Sequence, residues 1–205
     1  MTDAEGRSLN NGIADAAPEL TLDYGPGSGC AIAGTSREGG VAGGVISVRR
    51  AAPLDAPSLA ALWAEMQRHY GQPVTEAAAA ASAAFACGTG PATGFDPRTL
   101  VAVAECGEVA GALVLNVTFP ASELARSLYV RDLYVARVAR RRGVARVLLR
   151  AAAALAVAEG FSTLDWTADA GNVGACRLYE REGALRMARV YFRLSGGDLL
   201  RAAGS

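Results

Sequence analysis

The feature that most constrains this chain is a strand that leads, through a short arginine-rich loop, directly into a long helix. Apolar β-forming residues predict a strand over Ser127 to Val135, and apolar periodicity predicts a helix over Val144 to Glu159. A helix that begins so soon after a strand leaves several backbone N–H groups without an acceptor. Those donors and the helix dipole attract anions. The sequence therefore predicts an anion-binding turn at this place.

The loop itself has the composition of a phosphate site. Arg140, Arg141 and Arg142 provide fixed positive charge and forked donors for phosphate oxygens. Gly143 allows the backbone to approach a phosphate closely, and the small Ala145 keeps the first helical turn free of bulk. No Gly-Lys-Ser/Thr follows, so the turn is not a P-loop, and the spacing is not G-x-G-x-x-G. A solvated connection between strand and helix remains the alternative interpretation.

The remaining periodicity predicts one mixed α/β domain. Strands are predicted over 45–49, 100–105, 109–117, 161–167 and 188–194 in addition to 127–135, and helices over 54–70, 75–86 and 172–182 in addition to 144–159. This order predicts one central mixed, mostly antiparallel sheet flanked by helices. The domain is predicted to span 45–205. The Gly/Ala-rich residues 1–44 are predicted to be a flexible tail with a short element around Pro18 to Tyr24.

Composition argues against several kinds of partner. The chain has 20 Lys+Arg against 20 Asp+Glu, so it has no overall field to hold a nucleic acid. Its single histidine and scattered cysteines exclude a His-rich metal site. We interpret the four cysteines as reduced thiols of a cytoplasmic protein. Neither a secretory signal nor a membrane span is predicted, so we expect no membrane partner.

A second pattern follows the predicted strand at 161–167. On the helix predicted over 172–182, Asn172, Cys176 and Tyr179 share one face. Gly183 and Ala184 then follow the end of that helix. Asn172 is also a good helix N-cap, Cys176 is also interpretable as a packed thiol, and Tyr179 as an ordinary tyrosine of an amphipathic helix.

These two patterns resemble the signatures of the GCN5-related N-acetyltransferase (GNAT) superfamily. Arg140, Gly143 and Ala145 fill the fixed places of R/Q-x-x-G-x-G/A, the pyrophosphate-binding signature of that superfamily. The asparagine, tyrosine and Gly-Ala pattern follows this signature in the correct order. The resemblance as a whole covers about residues 45 to 201. The resemblance implies acetyl-coenzyme A as cosubstrate, no metal, transfer of the acetyl group to a primary amine, and a homodimer.

Within the superfamily, the chain is most similar to the diamine (spermidine/spermine and thialysine) N-acetyltransferases. The similar stretches are 128–135, 191–194 and the helix end His69-Tyr70. That family has an acidic pair at the positions of Arg131 and Asp132. Because an arginine repels a polyamine, the resemblance supports a small amine as acceptor but not a polyamine.

The resemblance also implies roles for individual residues. Tyr179 is the implied general acid for the coenzyme A thiolate, and its unperturbed pKa of about 10 keeps it protonated at neutral pH. Asp132 is the candidate base, although it is also interpretable as a strand-end charge. A backbone N–H near Leu133 is the implied oxyanion donor. The predicted cofactor-binding residues are Leu133, Tyr134, Val135, Arg140, Arg141, Arg142, Gly143, Val144, Ala145, Arg146, Asn172 and Cys176, and the predicted acceptor-binding residues are Tyr70, Arg131 and Asp132.

Three other functions remain open from the sequence. A catalytically silent GNAT module would bind acyl-coenzyme A without turnover. A protein or peptide N-acetyltransferase would use the same transfer chemistry on a different acceptor. A nucleic-acid-binding module would use the arginines between residues 137 and 150, but the neutral chain and the lack of interleaved aromatic residues argue against it.

Overall fold

The computed structural model of the chain describes residues 20–23, 45–89, 97–120 and 124–204. These residues divide into two units, one ending at Thr167 and one beginning at Ala168, which we describe separately. The elements are β1 (Leu20–Asp23), β2 (Val45–Arg50), α1 (Ala56–His69), α2 (Glu76–Ala86), β3 (Arg98–Ala104), β4 (Val109–Thr118), β5 (Ser127–Val135), α3 (Val144–Ala158), β6 (Thr163–Trp166), α4 (Val173–Arg181) and α5 (Gly196–Ala202). Short 3-10 turns cover Pro53–Asp55 and Arg137–Ala139.

The first unit is built on one six-stranded sheet in which the strands lie in chain order. All neighbouring strands are antiparallel except β5 and β6, which are parallel and joined through α3. This confirms the predicted mixed, mostly antiparallel sheet with flanking helices. β1 lies within the short element predicted at 18–24; the rest of the predicted flexible tail lies outside the described residues.

The apolar core forms where α3 packs on the middle of the sheet. Val144, Val147 and Leu148 in the first turns of α3 are at most 1% exposed. Helix α3 contacts β3, β4 and β5, and α1 contacts α2 and β4. Gly111 on β4 makes the close approach of α3 possible, because a Cβ at this position would lie 3.1 Å from Val144 Cγ1. The start of α3 is therefore fixed against the centre of the sheet.

We expect Gly111→Ala to destabilise the protein by about 1–3 kcal/mol, the usual cost of overpacking a core. The added Cβ would lie 2.9 Å from the backbone oxygen of Tyr134, which cannot move without distorting β5. Denaturant unfolding measures the change. Gly174→Ala in α4 is the control, because the nearest atom to its added Cβ is 4.0 Å away. Equal stability of the two variants would contradict this account of the α3 contact.

The two early helices begin differently. Thr75 caps α2, with its Oγ1 accepting from the Ala78 N–H at 3.2 Å. Asp55 does not cap α1; its carboxylate accepts from Arg49 at 2.6 and 2.8 Å and from the Ala52 N–H. Burial raises the pKa of Asp55, but the bonds from Arg49 and Ala52 outweigh burial and lower it below its ordinary value.

The second unit differs from the sequence prediction at its end. The strand predicted over 188–194 is wrong: residues 184–195 have no regular secondary structure, and α5 follows instead. The stretch is rich in β-forming residues, but a strand also needs a neighbouring strand for its backbone hydrogen bonds. Among the described residues of the second unit, there is no strand to pair with it.

The structure contradicts one prediction about the cysteines. Cys87 and Cys176 are free, whereas Cys106 is disulfide-bonded, so the prediction of four reduced thiols is wrong for Cys106. Spacing alone could not reveal this bond, because disulfide pairing depends on the folded chain.

Within the described ranges, no group of three or more His, Cys, Asp or Glu side chains could hold a metal ion. None of the described helices has the length and apolarity needed to cross a membrane.

Candidate active site

One edge of β5 is open beside the predicted anion-binding turn. β5 pairs with β4 along its length, but it pairs with β6 only over its first four residues, Ser127 to Val130. The register with β4 shifts between Val130 and Asp132, so Arg131 is the extra residue of a β-bulge. Among the described residues, no strand pairs with 131–135 on the side away from β4. The backbone groups of that edge can hydrogen-bond an extended ligand that carries amide groups.

The loop that follows leaves the start of α3 uncapped. Gly143 is the N-cap residue, with φ 78° and no side chain to accept from the first helical N–H groups. Arg141 also has a positive φ, 65°, which is uncommon for a residue with a side chain and clusters at ligand sites. Several N–H groups at the start of α3 therefore lack a side-chain acceptor, and they point toward the space in front of the helix. This is the geometry that binds anions such as a pyrophosphate.

The three loop arginines do not have the same environment. Arg140 folds back on the end of β5: its Nε donates to the Val135 carbonyl at 3.2 Å and its Nη2 to the Tyr134 hydroxyl at 3.1 Å. Its guanidinium also lies over the Tyr134 ring, 5.2 Å from the centroid. Arg141 is exposed and Arg142 half-buried. Arg140 thus shapes the turn, whereas the Arg141 side chain lies open to solvent.

The other predicted residues of the turn divide by burial. Val144 is 1% exposed, so its side chain belongs to the core and only its backbone N–H can face a ligand. Ala145 is half-buried and Arg146 is exposed. On the strand, Leu133 and Val135 are half-buried while Tyr134 is buried. The structure therefore brings together the cofactor-binding residues predicted between 133 and 146 along one strand end, one turn and one helix start.

A residue that the sequence analysis missed, Glu65 of α1, is joined to this turn. Its Oε1 accepts from the Tyr134 hydroxyl at 2.9 Å and from the Arg137 backbone N–H at 2.8 Å. Burial and the bond to Glu65 raise the pKa of the Tyr134 phenol, which stays a donor. Glu65 lies at the flank of the apolar face formed by Leu62 and Met66 on α1, where a polar residue is ordinary, so the sequence carried no signal for this contact.

The residues predicted to meet the acceptor lie around the second half of β5. Tyr134 faces α1, and Asp132, two residues earlier on the same strand, lies on the same face. Asp132 is half-buried; burial raises the pKa of its carboxyl group, and the adjacent Arg131 lowers it by less. Arg131 itself is exposed. Tyr70 is 59% exposed and packs edge-on against His69 at 5.2 Å, and His69 lies 6.1 Å from the Tyr134 ring.

The remaining predicted residues lie in the second unit, on α4. Asn172 caps this helix, with its Oδ1 accepting from the Ala175 N–H at 3.2 Å, so the N-cap interpretation is confirmed. The Cys176 thiol lies 3.8 Å from the Asp169 carbonyl oxygen. Tyr179 is half-buried and lies seven residues after Asn172, on the same face.

The Gly-Ala pair after α4 has its own structural reason. Gly183 has φ 90° and its N–H donates to the Glu180 carbonyl, while the Ala184 N–H donates to the Tyr179 carbonyl at 3.0 Å. These two bonds form a Schellman motif, which ends a helix and favours glycine at this position. The pair therefore fixes the end of the helix that carries Tyr179.

The mixed sheet with its flanking helices has the fold of an acetyltransferase. Residues 59–184 match the sequence profile of the acetyltransferase (GNAT) family, and the chain belongs to that family. Transfer of an acetyl group from acetyl-coenzyme A is general for this family. No curated protein is similar enough in sequence to count as a match.

Solved structures of similar proteins share the fold. An integron cassette protein from the mobile metagenome of V. cholerae is 25% identical, with a TM-score of 0.68 over 78% of this chain and 98% of that one. An aminoglycoside acetyltransferase from an uncultured soil metagenomic sample is 20% identical, with a TM-score of 0.54 over 74% and 99%. Ribosomal-protein-alanine N-acetyltransferase from Brucella melitensis is also 20% identical, with a TM-score of 0.58 over 74% and 99%. The last two show likeness of fold alone.

Proposed function

We propose that this GNAT protein transfers the acetyl group of acetyl-coenzyme A to a primary amine of a small molecule. The observation that carries this proposal is the open edge of β5 that leads into the uncapped start of α3. Coenzyme A has an extended arm with two amide groups and, next to it, a pyrophosphate. The strand edge suits the amides and the helix start suits the pyrophosphate, in the order in which the coenzyme presents them.

The transfer needs an acid, a base and an oxyanion donor. In our proposal Asp132 takes a proton from the ammonium form of the acceptor, and the free amine attacks the thioester carbonyl carbon. A backbone N–H near Leu133 donates to the oxygen that becomes negative. The C–S bond then breaks as Tyr179 donates its proton to the leaving thiolate, and the second proton that the acceptor nitrogen loses on becoming an amide restores the Tyr179 phenol. Asn172 and Cys176, on the same helix face as Tyr179, are proposed to contact the coenzyme beside it.

Arg131 is the residue that bears most on the nature of the acceptor. This arginine is exposed at the bulge of β5, where the diamine N-acetyltransferases have an acid. A fixed positive charge there disfavours a polycation and is compatible with a small amine that carries fewer charges. We propose that Arg131, Asp132 and Tyr70 contact this acceptor. A peptide acceptor is the second candidate, because the same transfer chemistry can act on the amine of a peptide.

A coenzyme A release assay tests the proposed function. Acetyl-coenzyme A is supplied with polyamines, lysine analogues, amino acids, aminoglycosides or short peptides. We expect turnover with one class of small amine. Turnover with peptides alone would establish the protein acceptor instead. Binding of coenzyme A without any turnover would favour a silent module, and no binding at all would refute the proposal.

Asp132→Asn tests the base. We expect kcat/KM for the amine to fall by about 10²-fold, at the low end of what general bases contribute, with coenzyme A affinity retained. In the unmodified protein, kcat/KM falls at low pH, because a protonated carboxyl group cannot accept a proton. Burial raises the pKa of Asp132, so this fall begins at a higher pH than for an ordinary aspartate. The pH–rate profile measures both effects.

The matched control for the base is Asp198→Asn in α5, which removes an exposed carboxylate that pairs with Arg201. We expect its pH–rate profile to equal that of the unmodified protein. An unchanged profile in Asp132→Asn would assign the base to another group.

We also propose that the enzyme is a cytoplasmic homodimer. The support is the apolar stretch in the second unit, where Leu185 and Phe192 are 87% and 85% exposed. Met187, Val190, Tyr191 and Leu194 of the same stretch are exposed as well. A cluster of large exposed apolar side chains is more typical of an interface than of a free surface. Sedimentation analysis of the full chain tests the dimer, and a monomer at all concentrations would refute it.

A further inference from the structure

Glu65 makes contacts that the transfer chemistry does not use. It lies on α1, 72 residues before Arg137 in the chain, and yet one of its oxygens joins the last residues of β5 to the turn that follows. We propose that Glu65 is a positioning residue that holds the pyrophosphate turn in its binding conformation. This inference rests on the proposed function, because it takes the turn to be the coenzyme A site.

Glu65 contributes geometry rather than charge to the turn, because a carboxylate does not attract phosphates. One of its oxygens accepts two hydrogen bonds, at 2.9 Å from the Tyr134 hydroxyl and at 2.8 Å from the Arg137 N–H.

The bond from the Arg137 N–H fixes the beginning of the turn. Arg137 is the first residue of the 3-10 turn Arg137–Ala139, and an N–H at the start of such a turn has no acceptor within it. The preceding residue, Ala136, has no side chain that could accept from it. Glu65 supplies the missing acceptor from another helix, and this fixes where the loop leaves the strand.

The bond from the Tyr134 hydroxyl fixes the middle of the turn through two side chains, Tyr134 and Arg140. The Tyr134 hydroxyl donates to Glu65 and accepts from Arg140 Nη2 at 3.1 Å, so Glu65 determines which way the phenol points. Arg140 then reaches back to the Val135 carbonyl at 3.2 Å. With both ends held, the short segment up to Gly143 has little freedom, and the N–H groups of α3 keep their direction before the ligand arrives.

The test compares two substitutions of Glu65 by titrating each variant with coenzyme A. We expect Glu65→Ala to raise the Kd for coenzyme A about tenfold, the effect of losing two hydrogen bonds that hold the site. We expect Glu65→Gln to keep the Kd within about threefold, because an amide oxygen accepts both bonds. We expect Tyr134→Phe to fall between them, because the bond to Arg137 remains. Gln67→Ala, a similar truncation on the same helix, is the control and should bind as the unmodified protein does.

The outcomes separate position from charge and from folding. If the charge of Glu65 were what matters, both substitutions would tighten coenzyme A binding, and the inference would be overturned. If Glu65→Ala only loosened the fold, kcat would fall with the affinity; we expect a raised KM for acetyl-coenzyme A with kcat kept. Failure of the unmodified protein to bind coenzyme A would refute the proposed function. Normal binding together with an unchanged Kd in Glu65→Ala would refute only the role of Glu65.

Discussion

Tyr179→Phe is expected to lower kcat for acetyl transfer by about 10²-fold or more, within the range that a general acid contributes. The substitution keeps the ring and its packing on α4 and removes only the hydroxyl proton donor. Without that proton, the coenzyme A thiolate must leave as an anion or take its proton from water. Because the loss affects the transition state, the affinity for coenzyme A should change little. Steady-state kinetics and coenzyme titration measure the two quantities separately.

The matched control is Tyr191→Phe, which makes the same chemical change at a tyrosine that is 65% exposed in the same unit. We expect it to keep the activity of the unmodified protein. If Tyr179→Phe also kept its kcat, the thiolate would be protonated by another group and the role proposed for Tyr179 would be wrong.

Gly143→Val is expected to weaken coenzyme A binding by about 10–100-fold. The φ of 78° at Gly143 lies in the left-handed region, which costs a side-chain-bearing residue about 1–3 kcal/mol and costs a β-branched residue most. To relieve this strain the turn must change shape, and the first N–H groups of α3 then lose their common direction. A side chain at this position also stands where a phosphate would approach. Calorimetric titration with coenzyme A gives the change in Kd.

Gly107→Val separates strain from binding. Gly107 has φ 86° in the turn between β3 and β4, so the substitution carries the same backbone strain outside the pyrophosphate turn. We expect both variants to lose stability, and only Gly143→Val to lose affinity for coenzyme A. Equal affinities in the two variants would show that the turn at Gly143 does not bind the coenzyme.

The sequence was most informative where local chemistry decides the conformation. The predicted bounds of β5 agree with the structure, and the start of α3 does as well. Alternating β-formers, a glycine with positive φ and a long apolar helix all specify the same local structure, and so does the helix-ending glycine at 183. The predicted anion-binding turn follows from this local order, because a strand, a glycine and a helix start are enough to create it.

The sequence was least informative where a residue depends on a distant partner. The β-forming residues at 188–194 predicted a strand, but a strand is stable only beside another strand, and local propensity says nothing of that neighbour. The disulfide at Cys106 could not be predicted for the same reason. The hydrogen bonds of Arg140 to Val135 and Tyr134 also depend on the folded turn and could not be predicted from the composition of the loop.

By itself the sequence determined the class of fold, the place of the turn and the family signatures, because these depend on residues close together in the chain. Only the tertiary structure decided what holds the turn in shape. Glu65 comes from a helix far earlier in the sequence, and no spacing rule connects it to Arg137. Packing of α1 against the sheet brings the two within hydrogen-bonding distance, and that packing depends on residues far apart in the chain.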